Sequence, residues 1–321
     1  MTGRLPSVSI LVPAHNEEKH ISKCIESLLA QSYPEDRYEI IVVNNRSSDD
    51  TKGIACKYPV AVHDYNGVGI GAVRNYAVEN STGEILAFID ADCVAPADWV
   101  ETAVTKVLSM PGELRVVGGD ALMSDEPSRL EKYWFFKRVR KHNDMKNLNG
   151  ASMIFPKKLF DEVGGFNVAL NAGEDSDFSH RIRQYGTRIE YDERLDVIHL
   201  GYPKTFKQFC ARQFWLASSF IYSNNGLNDL VFLFSLLFLV STLSLFFGLI
   251  FKIEIVAWLS VLGILIGPTL FHYRKMRESS VSYFSLQSAI VYILSIAYFS
   301  SRALGLIFSF SGMAFQRRKR Y

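Results

Sequence analysis

The stretch beyond Asp229 constrains this chain more than any other, because no soluble globule buries apolar runs of this length. Leu230–Phe251 carries no charge, and at about 1.5 Å per helical residue it covers the roughly 30 Å of a bilayer's hydrocarbon core. Ile255–Phe271 is shorter, holds Pro268, and follows after only Lys252, Ile253 and Glu254. The two segments therefore predict a tight hairpin of crossing helices. The run His272–Arg277 (HYRKMR) is expected to form a basic loop, placed on the cytoplasmic side by its positive charge. A third apolar stretch, Leu286–Phe310, contains Arg302 and leads to Arg317-Arg318-Lys319-Arg320. One full crossing would carry that basic tail outside, against the same rule. Either the stretch re-enters or lies tilted at the interface, or the rule fails here. Arg302 itself invites a phosphate-binding role or plain snorkelling to the surface.

Charge divides along the same line. The chain carries 35 Lys and Arg against 33 Asp and Glu, and nine of the basic but only three of the acidic residues lie from Asp229 onward. A net charge of +2 argues against a general polyanion binder, so nucleic acid is not expected as a partner. The opening MTGRLPSVSILVPAHNEE breaks its apolar run with prolines and ends it in acids, unlike a secretory signal, so the region before the membrane is expected to stay in the cytoplasm. Cys24, Cys56, Cys93 and Cys210 lie far apart with no CxxC pair, which predicts small buried apolar residues rather than disulfides or a zinc ribbon. The expected division is a soluble α/β region over 1–204, a juxtamembrane amphipathic helix or linker over 205–228, and a membrane region over 229–321.

The first ninety residues alternate strand and helix patterns. Val8–Pro13, Tyr38–Val43, Val60–His63 and Glu84–Ile89 read as strands; Glu17–Gln31, Asp49–Tyr58 and Ile70–Glu79 read as helices. This βαβαβαβ order predicts a mainly parallel sheet with helices on both faces, in which ligands sit beyond the carboxyl ends of the strands. Four polar strand ends then face one crevice: Pro13, Asn16 and Glu17 after the first; Asn44 and Asn45 after the second; Gly67–Gly71 leading to Arg74 after the third; Asp90-Ala91-Asp92 after the fourth. The glycines follow the third strand, so the pattern is not a dinucleotide fingerprint.

Asp90 and Asp92 stand two apart behind an apolar strand, and alternate residues of an extended or turning chain can face one point. Hard carboxylate oxygens suit Mg²⁺ or Mn²⁺, an ion able to offset the charge of a departing diphosphate. The plainer reading is a solvated Asp-x-Asp turn. Together SILVPAHNEE, EIIVVNNRSSDDT, GVGIGAVRN and FIDAD resemble, in this order and spacing, the nucleotide-binding half of family 2 glycosyltransferases, over about residues 7–215. The resemblance implies the GT-A fold, a nucleotide-diphospho-sugar donor (a UDP-sugar first, GDP or another nucleotide second) and a divalent ion. On it, Pro13, Asn16 and Glu17 line the nucleoside, Arg74 helps hold base or phosphate, and Asp90 and Asp92 form the DxD pair. The family usually has an aspartate where Asn45 stands; an asparagine carbonyl still accepts a hydrogen bond from the base, without the charge. Asn44 and Asn45 as mere turn caps, in a catalytically inactive nucleotide-sugar-binding scaffold, is the rival reading.

Past Leu114 the pattern loosens. Leu114–Gly118 reads as a strand, and Ser128–Asn143 as a basic aromatic helix whose Lys137, Arg138, Arg140 and Lys141 meet lipid phosphates or simply solvent. Asn149–Phe155, with Gly150, resembles the family's floor beneath the donor sugar. In Asn171–Tyr185 the acids Glu174, Asp175 and Asp177 open a helix, where its dipole alone would favour them. By the resemblance, Asp175 is the general base of an ED motif that activates an acceptor hydroxyl with inversion, and Glu174 orients sugar hydroxyls. An acceptor phosphate needs no base, so a sugar hydroxyl on a lipid-linked or surface glycan is expected rather than polyprenyl phosphate itself. His199, ending Val197–His199, is a metal ligand or a structural histidine. Gln208–Trp215 matches the QxxRW box of processive synthases imperfectly and reads better as an amphipathic surface helix anchored by Phe206, Phe209, Phe214, Trp215 and Phe220. Nothing in the sequence specifies an oligomeric state.

Overall fold

A computed structural model describes residues 4–109, 114–135, 145, 147–170, 173–218, 230–279 and 281–310. The chain forms two compact units, Met1–Asp125 with His142–Tyr202, and Glu126–Lys141 with Pro203–Lys319. In the first unit the elements are β1 (Val8–Ala14), α1 (Ile21–Leu29), β2 (Tyr38–Asn44), α2 (Thr51–Ala55), β3 (Ala61–Asp64), α3 (Ile70–Glu79), β4 (Ile85–Phe88), β5 (Cys93–Val94), α4 (Trp99–Val107), β6 (Val116–Gly118) and β7 (Ala121–Leu122). Helix α5 (Arg129–Trp134) belongs to the second unit; β8 (Met153–Pro156), α6 (Lys157–Val163), α7 (Glu174–Gln184), β9 (Ile189–Tyr191) and β10 (Val197–His199) return to the first.

Seven strands make one sheet in the order β3-β2-β1-β4-β8-β6-β9, and β5-β10-β7 make a second, smaller one. The first four strands are mutually parallel, as their alternation with helices predicts, while β8 is antiparallel to both neighbours. Strand β1 is buried on both faces. Its Val8, Ile10 and Val12 pack with Ile21, Ile25 and Leu28 of α1 and with Trp99; its Leu11 packs on the other face with Val73 and Ala77 of α3 and Phe178 of α7. Alternate residues thus feed two cores. Pro13 lies inside β1 rather than after it, paired with Val43. Its missing N–H points the same way as Leu11, whose carbonyl takes Ile89 N–H at 3.2 Å, and the ladder to β4 has ended there, so the proline costs the sheet no bond. Helices α1 and α2 are shorter than the spacing suggests; residues 15–20 instead form the loop that reaches the crevice.

In the second unit α5 starts at a capping box, Ser128 taking Glu131 N–H and Glu131 taking Ser128 N–H. Its expected continuation through Lys137, Arg138, Arg140 and Lys141 lies outside the described residues, as do Phe220 and the basic tail. Helix α8 (Phe206–Ala217) buries Phe209, Gln213 and Ala217 along one face. Phe209 is fully buried, edge-on to Trp134 at 4.8 Å, so it is a core residue and no membrane anchor. Helices α9 (Leu230–Ile250), α10 (Glu254–Arg277) and α11 (Leu286–Phe310) follow, and each is long and apolar enough to cross a membrane. The expected basic loop at His272–Arg277 is instead the last turns of α10, which runs through Pro268. Cationic side chains are favoured at a helix C-terminus, and Arg274 pairs with Glu278 at 3.0 Å.

Candidate active site

Strands β1, β2 and β4 end side by side, so the loops that follow share one rim. In the first loop Asn16 adopts φ 57°, its Nα–H bonded to Ser47 Oγ at 3.1 Å and its Oδ1 accepting Ser48 N–H at 2.7 Å. Glu17 is buried and its N–H donates to Thr51 Oγ1 at 2.7 Å. These bonds tie the β1 and β2 loops into one wall. Asn45 donates its side-chain amide to the carbonyls of Tyr65 and Gly67, at 2.9 and 3.0 Å, which leaves its Oδ1 as the acceptor. Asn44 donates to Asp64 at 2.8 Å, while its buried Oδ1 finds no hydrogen-bond partner among the described residues. The two asparagines therefore tie loops together as well as lining the rim.

The acids gather around Arg74. Its guanidinium is 2% exposed; it bonds Glu174, reaches Asp90 Oδ1 at 3.0 Å and donates to Gly150 O at 3.2 Å. The side chain expected at base or phosphate is thus taken up by carboxylates, and it joins the end of β4 to the start of α7. Gly150 must be glycine for this: an added Cβ would stand 2.4 Å from Arg74 Nη2. Gly150 N–H in turn donates to Asp175 Oδ2 at 3.2 Å, and Asp175 Oδ1 accepts Ser176 N–H at 2.7 Å. Asp175 so uses the helix N-terminus that would favour any acid there, yet it is half-buried beside the Arg74 cluster. Asp177 is a different case, fully buried and paired with Arg181 at 2.9 Å. One guanidinium facing three carboxylates leaves an excess of negative charge. Burial pushes the Glu174 carboxyl up, to about 7, with Arg74 opposing and Asp175 adding to the rise. Burial likewise raises Asp175, against the pull of Arg74 and of its two backbone bonds.

The two aspartates after β4 part company. Cys93 N–H bonds Asp90 O at 3.0 Å, closing a turn rather than an extended strand, so alternate residues do not project together. Asp90 goes to Arg74; Asp92 is fully buried and goes to the small sheet. There Cys93 pairs with His199 across β5 and β10. His199 Nε2 and Cys93 Sγ each stand 3.8 Å from Asp92 Oδ1, and the three ligand atoms lie within 4.8 Å of one another. Two donors about 2.0–2.3 Å from one ion are separated by about 3–4.5 Å, so the spacing fits a divalent cation. His199 is held by stacking on Tyr202 at 4.2 Å between ring centres, and Tyr202 donates its hydroxyl to Ala121 O. Gly201 lets the chain pass Asp92, since a Cβ there would lie 2.0 Å from its Oδ2.

Of the expected metal set, the structure brings Asp92 and His199 together and places Asp90 elsewhere. Cys93 joins them unexpectedly, because its pairing with His199 is set by strand register. Cys24 and Cys93 are buried as expected, and burial beside Asp92 and Asp90 holds both thiols well above their usual range; Cys56 is exposed.

The sequence model of Glycosyl transferase family 2 matches residues 9–164. Glycosyltransferase AglE of Haloferax volcanii is 30% identical over 225 residues, covering 67% of this chain and 73% of that protein. The glucosyl-dolichyl phosphate glucuronosyltransferase of the same organism is 30% identical over 240 residues, covering 65% of this chain and 74% of that one. Among solved structures, the mannosyltransferase PcManGT of Pyrobaculum calidifontis, in complex with GDP-Man and Mn²⁺, superposes with a TM-score of 0.54 at 20% identity, covering 99% of this chain and 89% of that one.

Proposed function

The chain belongs to glycosyl transferase family 2, and from that premise we propose that it moves a sugar from a nucleotide-diphospho-sugar to a hydroxyl of a lipid-linked or surface glycan, with inversion and a divalent ion, while anchored in a membrane. It is a glycosyltransferase of the GT-A fold followed by long apolar helices. The observation that carries the finer reading is the Arg74 cluster, which draws Asp90 from a strand end and Glu174 from a helix start onto one side chain, with Asp175 one residue on. Asp175 then takes the acceptor hydroxyl's proton, and Glu174 and Arg74 set its charge and place. Pro13, Asn16, Glu17 and Asn45 line the nucleoside, the Asn45 carbonyl accepting from the base. Asp92, His199 and Cys93 would hold the cation; bound there, it supplies charge for the departing diphosphate. A nitrogen donor in the set favours Mn²⁺ over the oxygen-demanding Mg²⁺. A lipid-linked acceptor is supported by the apolar helices and by the relative named for a dolichyl-phosphate-linked glucose.

The test is nucleotide release across a panel of UDP- and GDP-sugars with lipid-linked glycan acceptors, with and without Mn²⁺. Metal-stimulated release is expected, with a UDP-sugar preferred. Nucleotide binding without release under any condition would make the chain a scaffold. A second expectation concerns pH. Asp175 works deprotonated, and its raised carboxyl puts the acid limb of kcat above the ordinary aspartate value of about 3.9. Asp90→Asn removes a neighbouring negative charge that raises Asp175, so the limb should move to lower pH. An unmoved or raised limb would detach Asp175 from the titration.

A further inference from the structure

Helices α9 and α10 form an antiparallel hairpin: Gly248 lies against Ala257, Gly263 against Ser241, and Gly267 against Phe234. Helix α11 does not continue that alignment. Ser288 meets His272 at 3.1 Å, Tyr292 meets Thr269 at 3.1 Å, and Tyr298 and Phe299 meet Phe271 at ring distances of 4.8 and 5.7 Å. From Ser288 to Phe299 a helix advances about 16 Å, yet all these contacts fall on Thr269–His272. A neighbour crossing at the small angle usual for spanning helices, about 20°, would move about 15 Å along α10 over that length. So α11 crosses the hairpin steeply, near the C-terminal end of α10.

Its surroundings agree. Residues of the α11 apolar window are 56% buried, against 22% and 17% in α9 and α10. Leu286, Ile293, Leu304 and Ile307 are exposed and fall on one stripe, while Ser295, Phe299 and Leu306 on the opposite face are fully buried. The C-terminal half of α11 is accompanied by α8: Arg302 Nε donates to Gln213 at 3.3 Å, Phe308 packs edge-on to Phe214, and Gly305 lies against the Phe214 backbone. Helix α8 carries Lys207, Gln208 and Arg212, a composition that belongs at an interface and not in hydrocarbon.

We infer that α11 does not cross the bilayer but lies with α8 along the headgroup boundary, over the near end of the α9–α10 hairpin, with its Leu286–Ile293–Leu304–Ile307 stripe against the acyl chains. The chain crosses twice, and after Phe310 it leaves on the side where α8 entered. The conflict between the basic C-terminal residues and the positive-inside rule disappears. The inference is independent of the sugar chemistry.

Two measurements on the full chain in phosphatidylcholine–phosphatidylglycerol vesicles test it. Spin labels at Leu286→Cys, Ile293→Cys and Leu304→Cys, in a Cys56→Ser, Cys210→Ser background, should report immersion depths within about 5 Å of one another. A spanning helix would spread them by about 27 Å, the advance of eighteen residues. Separately, an impermeant maleimide should reach Tyr321→Cys from the side that labels the exposed native Cys56, and Lys252→Cys from the other. Depths passing through the bilayer centre, or Tyr321→Cys labelled together with Lys252→Cys, would overturn the inference.

Discussion

Asp175→Asn is expected to lower kcat by about 10²–10⁴-fold while leaving nucleotide affinity nearly unchanged, the range removed when a positioned general base is lost. The amide keeps the shape of the carboxyl and its single oxygen can still accept Ser176 N–H, which holds the helix start, while the bond from Gly150 N–H to the second carboxylate oxygen is lost. What disappears is the proton acceptor. A sugar hydroxyl is a poor nucleophile without one, whereas an acceptor phosphate is already ionised. Single-turnover transfer together with calorimetric nucleotide binding therefore separates the two chemistries. Transfer retained at wild-type rate, with unchanged affinity, would discard the base and point to polyprenyl phosphate as the acceptor.

Asp92→Ala should abolish metal-stimulated turnover, a loss of about 10²–10³-fold, matching the several kcal/mol a cation contributes to a developing diphosphate charge. Asp92 is the member of the trio that both His199 and Cys93 face at 3.8 Å, so its removal leaves an imidazole and a protonated thiol, a poor pair for Mn²⁺. Mn²⁺ binding, followed by electron paramagnetic resonance without any sugar present, should fall in parallel. Asp90→Asn is the contrast: its carboxylate contacts Arg74 and not the trio, so Mn²⁺ binding should persist. If Asp90→Asn lost the ion and Asp92→Ala kept it, the assignment of the small sheet as the metal centre would fail.

Much of this architecture was legible from spacing. Short continuous apolar runs in β1, β2 and β4 marked strands because burial on both faces demands them, and the helical period of Ile21, Ile25 and Leu28 marked the face of α1. Uncharged length marked α9. Other features were not legible, each for a physical reason. His272–Arg277 reads as a loop by charge, but a helix end welcomes cations, and α10 runs on. Phe209 reads as a lipid anchor by its place on an amphipathic helix, but Trp134, seventy-five residues earlier, covers it.

The acids show the division most sharply. From the sequence alone come the carboxylates at Asp90, Asp92, Glu174 and Asp175, their places at a strand end and a helix start, and the long apolar helices behind them, because these follow from residue type and local period. Which carboxylate serves which purpose was decided by tertiary structure. The turn closed by Cys93 N–H sends Asp90 to Arg74 and Asp92 to His199, and strand register sets Cys93 beside them. Arg74 meets Glu174 across one hundred residues of chain. Local spacing carries no information about such meetings; they exist only once the two cores have packed and brought distant strand ends to one rim.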